Sequence, residues 1–308
     1  MRSQTGVVSS PRTAEHVQEP TRSGTLITKT HGFMAGVFSE FNMSKLKKVL
    51  KAGVIAGACG IGLCALARKF KVSTLVSDFA QSVEAVPFPG TRLYSFLASR
   101  QLRPLYVAIA EQIAAADGFA RILDLGTGPG YLPIEIATRN PDVSVIGVDI
   151  SPDMVRMAHA NALASGIGKS VEFQTGDPTN IPYPGRYFDL VVSVNVLHHW
   201  SDPVAVFEQV YYALVQGGQF WIYDYVKHVP PKQWASLEKK LSPMLRLALQ
   251  FGPIASSRAA YSENDLHKMA ERTHFVDAAI EKIELPLFGH PMPVFLRAVL
   301  RKPALHER

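Results

Sequence analysis

A glycine-dense turn between two apolar stretches constrains the fold of this chain more than any other feature. Residues 121–125 are typical of a buried strand, and residues 131–137 are typical of a helix. Between them, Gly126, Gly128 and Gly130 allow a sharp turn where a Cβ would clash. Such a turn lets a ligand approach the backbone at the positive end of the helix. The sequence therefore predicts an α/β fold with a nucleotide-like cofactor at this turn. The alternative is a tight strand–helix turn that holds no ligand.

The spacing of these glycines differs from that of two familiar nucleotide-binding loops. Tyr131 stands where the dinucleotide fingerprint has its third glycine, and no Gly-Lys-Ser/Thr ending is present. An aspartate two residues before the first glycine fits neither loop. The arrangement Asp-x-Gly-x-Gly-x-Gly resembles motif I of the class I S-adenosylmethionine (SAM) methyltransferases. The resemblance implies SAM as the cofactor and assigns five residues to its site: Asp124, Gly126, Thr127, Gly128 and Gly130.

A second motif follows the next predicted strand. Residues 143–148 form a β-branched run that ends at Asp149, where a carboxylate is placed to accept hydrogen bonds from both ribose hydroxyls. Ser151 and Pro152 then predict an N-cap and a first helical position. The run Gly-Val-Asp-Ile-Ser-Pro-Asp-Met resembles the second motif of the same family, which adds Asp149 and Ile150 to the cofactor site. The alternative for Asp149 is a solvent-exposed carboxylate at a strand end.

A third predicted strand, at residues 171–174, is followed by Asp177 and Pro178. The resemblance implies that Asp177 faces the exocyclic amine of adenine, with Pro178 beside it. This is chemically sensible because a carboxylate accepts hydrogen bonds and cannot donate them. The alternative for Asp177 is turn chemistry before the proline.

The fourth predicted strand, residues 187–197, is almost continuously apolar, as expected when both faces of a parallel sheet are covered. We assign Asn195 in this strand to the cofactor site. His198 and His199 follow at the carboxyl end, where active sites form in open α/β sheets. A base matters when the methyl acceptor is a hydroxyl or a protonated amine, and we rank the two histidines nearly equal for that role. The alternative is a hydrogen-bonded structural histidine or a contact to the cofactor.

The resemblance covers residues 121–224 and holds at four motifs in order. A helix from Pro203 to Leu214 is predicted to end near Gly217-Gly218, before a fifth strand at residues 219–224. The family resemblance implies a Rossmann-like, seven-stranded and mostly parallel sheet with helices on both faces. It also points to the small-molecule branch of the family, which acts on quinones, sterols and other lipids. One departure is Val215-Gln216, where the family usually has a basic residue and proline.

Charge and cysteine content restrict the kinds of substrate and ligand that the chain is expected to bind. Residues 1–73 carry 11 Lys and Arg against 3 Asp and Glu, whereas residues 74–308 carry 21 against 23. The basic excess therefore lies outside the predicted catalytic domain, which counts against a nucleic-acid substrate. Cys59 and Cys64 both precede that domain and match no zinc-ligand or disulfide pattern, so we predict no metal site.

The N-terminal region divides into two segments. Residues 1–42 have no sustained hydrophobic period and are predicted to be disordered. Residues 43–72 form a basic-flanked hydrophobic segment with an uncharged run at 52–67, which snorkelling of Lys51 extends to a membrane contact over 49–67. We predict a membrane anchor, single-pass or hairpin. The alternatives are a buried or interfacial helix and a cleaved targeting peptide.

Orientation in the membrane is not decided by the flanks, because four lysines precede the uncharged run and three basic residues follow it. The catalytic domain is expected to face a SAM-containing compartment, the cytosol first. The start site is open between Met1 and Met43.

The remaining chain is predicted to form a helical lid or linker at 73–118 and the catalytic domain at 119–308. A helical insertion is predicted at about 228–260, with an amphipathic stretch at 232–251. Ser262 is predicted to cap a further helix, and residues 294–300 to form the last strand. The lid elements are rich in Leu, Phe, Tyr and Met, which favours an apolar acceptor. The alternative is that these residues simply pack on the sheet.

These observations predict SAM-dependent methyl transfer to a small, lipophilic acceptor at a membrane. One alternative is a non-catalytic SAM-binding scaffold in a membrane complex. Another is a nicotinamide-dependent oxidoreductase on a similar fold, against which Tyr131 argues. The sequence leaves open the acceptor, the atom that is methylated and the oligomeric state.

Overall fold

The computed structural model describes residues 102–116, 118–168 and 170–304. Within these residues the chain forms a seven-stranded sheet and eight α-helices. The strands are β1 (Arg121–Leu125), β2 (Ser144–Asp149), β3 (Val171–Thr175), β4 (Phe188–Val194), β5 (Leu214–Tyr225), β6 (Asp277–Leu287) and β7 (His290–Arg301). The helices are α1 (Arg103–Ala116), α2 (Tyr131–Arg139), α3 (Pro152–Ala164), α4 (Pro203–Ala213), α5 (Pro231–Lys240), α6 (Pro243–Phe251), α7 (Pro253–Ala259) and α8 (Glu263–Ala270).

The strand order is β3-β2-β1-β4-β5-β7-β6. The first five strands pair in parallel, and β7 runs antiparallel to both of its neighbours. The expectation of a mostly parallel, seven-stranded sheet is confirmed. Because the chain reverses its direction of travel along the sheet after β3, the carboxyl ends of β1 and β4 lie side by side at a switch point, where open α/β sheets bind ligands.

Two apolar cores cover the two faces of the sheet. Neighbouring strand residues alternate between them, so that Ile122 packs into one core and Leu123 into the other. Helices α1, α2 and α3 contribute to the first core, and α4 and α8 contribute to the second. This arrangement explains why the central strands are nearly continuous in apolar residues.

Strand β5 begins earlier than predicted, because α4 ends at Ala213 and the next residue already pairs with β4. The pairing then jumps from Phe188–Leu214 to Leu190–Gln219. The intervening residues bulge out, and Gly217 adopts φ +77° within the bulge. The glycine pair that was predicted to separate helix from strand therefore lies inside the strand.

The predicted continuous helical stretch at 232–251 is two helices rather than one. Pro243 begins α6 and separates it from α5, since proline lacks an N–H donor and clashes with the preceding turn of a helix. A third short helix, α7, follows Gly252. The predicted N-cap at Ser262 is confirmed, with a reciprocal capping box to Asp265.

The last two strands form a hairpin that the sequence did not indicate. Strand β7 begins at His290, four residues before the predicted start, and pairs along its length with β6. The two connecting residues, Phe288 and Gly289, have φ values of +51° and +77°, as a type I′ turn requires. The Phe288 ring packs into the first core.

The predicted disordered segment (1–42), the predicted membrane segment (43–72) and most of the predicted lid at 73–118 lie outside the described residues. In the part of the chain that is described, no helix is both long and apolar enough to cross a membrane.

Candidate active site

The glycine turn after β1 leaves its backbone open to a ligand. The N–H groups of Gly126 and Thr127 both donate to the Val148 carbonyl, at 2.7 and 3.0 Å, which ties the turn to β2. A Cβ on Gly126 would stand 2.6 Å from the Val196 side chain, whereas one on Gly128 would meet nothing within 4 Å. The turn is therefore packed against Val196 at Gly126 and open at Gly128, where a cofactor could approach the backbone closely.

Asp149 lies at the end of β2 and anchors the same turn. Its Oδ2 accepts from the Gly128 N–H at 2.8 Å, and its Oδ1 accepts from the Ser151 N–H at 2.9 Å. Partial burial raises the pKa of the carboxyl, while these two backbone donors act in the opposite direction. Each carboxylate oxygen has a second lone pair, so both retain capacity for the hydroxyls of a ligand.

Asp124 lies beneath the turn and is 2% exposed. Burial raises the pKa of this carboxyl from 3.8 to about 7; the Thr127 hydroxyl opposes the shift, and the negative charge of Asp149 adds to it. A carboxyl in this state is only partly ionised at neutral pH. A cationic group bound above it would favour the ionised form.

Replacing Asp124 by asparagine is expected to stabilise the ligand-free protein increasingly as the pH rises. The folded pKa lies above the unfolded one, so wild type progressively loses stability between about pH 4 and pH 7 as the unfolded carboxyl ionises first. The variant lacks this loss, and its advantage in free energy of unfolding is expected to grow by about 2 kcal/mol between about pH 5 and pH 8. Denaturant titration at the two pH values measures the difference. A pH-independent difference would contradict the assignment.

An open cleft lies over the turn between the carboxyl ends of β1, β2 and β4. Six of the predicted site residues line it: Gly126, Asp149, Ile150, Asp177, Pro178 and His199. Asp177 is exposed, and its Oδ1 accepts from the N–H and the hydroxyl of Thr179, at 2.8 and 2.7 Å. The Asp177 side chain therefore stabilises the local turn, as in the alternative interpretation, and it also lines the cleft.

Other predicted site residues support the cleft from behind or below. Gly130 is the N-cap of α2, where a Cβ would stand 2.7 Å from the Phe173 ring. Thr127 is buried beneath the turn. Asn195 adopts φ +57°, and its N–H donates to the Tyr223 carbonyl at 2.8 Å. Its Oδ1 is buried without a described partner.

The segment after β4 contributes more of the cleft than the sequence indicated. The residues missed there are Val196, Trp200, Ser201, Asp202 and Val206. Trp200 is also part of the second core, so one ring both packs and lines the cleft. Their position in the chain could have predicted this part of the cleft, because these residues follow β4, the strand that pairs with β1.

The two histidines occupy different environments. His199 lines the cleft, whereas His198 lies behind it and pairs through Nδ1 with Asp224 Oδ1 at 2.8 Å. The two imidazole centroids are 4.2 Å apart. Burial lowers the pKa of His199 from 6.5 to about 4, the charge of His198 lowers it further, and Asp224 opposes the shift. His199 is therefore neutral at physiological pH.

Comparison with known proteins identifies the arrangement. The family model of a methyltransferase domain matches residues 117–274, which is just over half of the chain. The chain belongs to this family, the class I SAM-dependent methyltransferases. SAM is accordingly the cofactor. The open backbone at Gly128, the carboxylates of Asp149 and Asp177, and the buried carboxyl of Asp124 have the chemistry to bind it.

Individual relatives are similar over about a third of the chain. The 27-O-demethylrifamycin SV methyltransferase of Amycolatopsis mediterranei is 36% identical over 106 residues, covering 34% of this chain and 39% of that protein. The demethylmenaquinone methyltransferase of Deinococcus radiodurans is 31% identical over 116 residues, covering 36% of this chain and 47% of that protein. The similarity thus spans less than half the length of either relative.

Solved structures agree on the fold. A SAM-dependent methyltransferase of Methanococcus maripaludis superposes with a TM-score of 0.54 at 21% identity, covering 71% of this chain and 94% of that one. A plantazolicin methyltransferase, solved with a desmethylplantazolicin analogue and S-adenosylhomocysteine, superposes with a TM-score of 0.57 at 16% identity. That match covers 77% of this chain and 99% of the plantazolicin enzyme.

Proposed function

We propose that this protein transfers a methyl group from SAM to a small, lipophilic molecule at a membrane. The observation that carries the proposal is the cleft. The glycine turn that Asp149 holds in place and the neutral imidazole of His199 both line it. The cofactor supplies a methyl group on a sulfonium, which leaves as a neutral thioether. Asp149 would hold the ribose hydroxyls, Asp177 the adenine amine, and the carboxyl of Asp124 would lie beneath the cationic end of the cofactor.

The protein's part in the chemistry is positioning, exclusion of water and, for acceptors that carry a proton, its removal. His199 is the residue for that last step because its neutral imidazole lies on the cleft wall. His198 and Asp224 act through it: their hydrogen bond holds one imidazole against the other at 4.2 Å. His198 is thus a positioning residue, and the two histidines differ in role.

The lipophilic character of the acceptor is inferred from the apolar residues that lie near His198, behind the cleft. Tyr225 stands at the carboxyl end of β5, stacked on Phe295 with ring centroids 5.0 Å apart and 6.4 Å from the His198 ring. Helix α5 adds the buried Trp234 and Leu237 to the same core. The names of two relatives contain apolar acceptors, demethylmenaquinone and a demethylrifamycin. Others, the phosphoethanolamine N-methyltransferases of Arabidopsis thaliana, act on a polar one, so the apolar surroundings of the histidines carry this inference.

The membrane context is inferred from the hydrophobic segment over 49–67, flanked by basic residues. An anchor there would hold the catalytic domain beside a lipid surface and facing a compartment that supplies SAM, the cytosol first. An acceptor dissolved in the bilayer would then be available at high local concentration.

Calorimetric titration of the full chain with S-adenosylhomocysteine and with NADH tests the identity of the cofactor. Transfer of a labelled methyl group to quinol, sterol and water-soluble phenol acceptors tests the activity and the class of acceptor. We expect binding of S-adenosylhomocysteine without binding of NADH, and label in an apolar acceptor. Cofactor binding with no acceptor labelled would favour a non-catalytic scaffold. Label confined to the water-soluble phenols would overturn the lipophilic assignment.

A further inference from the structure

Charge is unevenly distributed along the catalytic domain. Residues 102–225, which build the cofactor cleft, carry 6 Lys and Arg against 13 Asp and Glu. Residues 226–262, which contain α5, α6 and α7, carry 6 Lys and Arg against 1 Glu. The net charge of the domain is therefore near zero because an acidic part and a strongly basic insertion offset each other. Electric fields of opposite sign on one domain orient it toward charged partners.

The basic residues of α5 form one exposed face of that helix. Lys232, Lys239 and Lys240 are all exposed, and they share a side that helical periodicity separates from the buried Trp234 and Leu237. None of these three lysines makes an ion pair with a described carboxylate. We call these three lysines the basic face.

The basic face is connected to the active site by a short path in the chain. The insertion leaves the sheet directly after Asp224 and Tyr225, the residues that contact His198. The inner side of α5 belongs to the same core as Tyr225 and Phe295. Helix α5 thus packs on the first core with its inner side and presents positive charge on its outer side.

We propose that the basic face docks the catalytic domain on an anionic lipid surface, which would hold the domain beside an apolar acceptor dissolved in the lipid. The inference deepens the proposed function and rests on it for the nature of the acceptor. Its basis is charge complementarity, because lysines close to an anionic leaflet each favour binding by about fivefold. The anionic cofactor half would face away from such a surface by the same electrostatics.

A nucleic acid is the other polyanion that a basic surface can bind, and the composition of this face disfavours it. Proteins that bind single strands combine basic grooves with aromatic rings on which bases stack. The aromatic residue of α5, Trp234, is buried at 7% exposure. The exposed side offers lysines with Ala235 and Ser236 between them.

Hydrogen exchange of the full chain, measured by mass spectrometry without SAM or acceptor, tests the docking. Vesicles of phosphatidylcholine are compared with vesicles that also contain phosphatidylglycerol, and single-stranded polynucleotide is added separately. We expect α5 to gain protection with the anionic vesicles alone. Because neither cofactor nor turnover is involved, failure of this test is distinct from failure of the methyl-transfer assay.

The triple variant Lys232→Gln, Lys239→Gln, Lys240→Gln is expected to lose that protection, so that α5 exchanges with anionic vesicles as it does with neutral ones. The matched control removes the same charge from exposed positions elsewhere, through Lys268→Gln, Arg272→Gln and Arg301→Gln. Any basic N-terminal segment is present in both variants. Equal losses in the two variants, protection of α5 by neutral vesicles, or protection by polynucleotide alone would each overturn the proposal.

Discussion

Replacing Asp149 by alanine is expected to weaken the binding of S-adenosylhomocysteine by about a hundredfold or more, since two charge-assisted hydrogen bonds to a ligand are each worth about 1.5–3 kcal/mol. The substitution also removes the acceptor that holds the N–H groups of Gly128 and Ser151, at 2.8 and 2.9 Å. The glycine turn would lose its anchor and the ribose its partner together. Calorimetric titration of the variant with S-adenosylhomocysteine measures the loss.

Two variants separate these effects. Asp149→Asn keeps the shape and one carbonyl acceptor but loses the charge, so it is expected to bind with intermediate affinity. Asp142→Ala removes an exposed carboxylate just before the same strand and is expected to leave affinity unchanged. Wild-type affinity in Asp149→Ala would remove Asp149 from the cofactor site, whatever its structural role.

The cofactor half of the fold was predictable because its signals are local. The glycine turn, the strand that ends at Asp149 and the cap at Ser151 are each encoded within a few residues. Parallel pairing then brings the strand ends together without any further signal. This is why six of the twelve predicted site residues line one cleft at the carboxyl ends of the strands.

The features that were missed depend on tertiary packing. Nothing local favours Phe288 in a left-handed conformation, and the hairpin turn exists because the ring is buried in the first core. The bulge in β5 is likewise set by pairing with β4, since Gly217-Gly218 alone signals a loop. Local propensity is overridden in both places by burial and pairing.

The contact between His198 and Asp224 spans 26 residues, so no sequence motif joins them. Strand pairing does, because Val194 of β4 lies opposite Tyr223 of β5. A residue a few positions past the end of one parallel strand meets the end of its neighbour. The pair, and with it the distinction between the two histidines, therefore becomes visible only when the strand order is known.

That distinction leads to the prediction on catalysis. His199→Ala is expected to lower kcat by about a hundredfold to ten-thousandfold for an acceptor that must lose a proton, the range typical of general-base residues. Its cofactor affinity should stay within about threefold of wild type, because SAM itself is not deprotonated. His198→Ala, which keeps the proposed base but disturbs its positioning and its surroundings, is expected to cost about tenfold in kcat.

The pH profile gives a readout that a purely structural role would not produce. Because burial lowers the pKa of His199 to about 4, wild-type kcat is expected to hold down to about pH 5 and to fall as the imidazole is protonated below that. His198→Ala removes a neighbouring positive charge, so the acid limb should move to higher pH. His267→Ala, an exposed histidine of α8, is the control and should leave both kcat and the profile unchanged. Equal kcat in His199→Ala and His267→Ala would exclude His199 as the base. So would an acid limb that lies at the same pH in His198→Ala as in wild type.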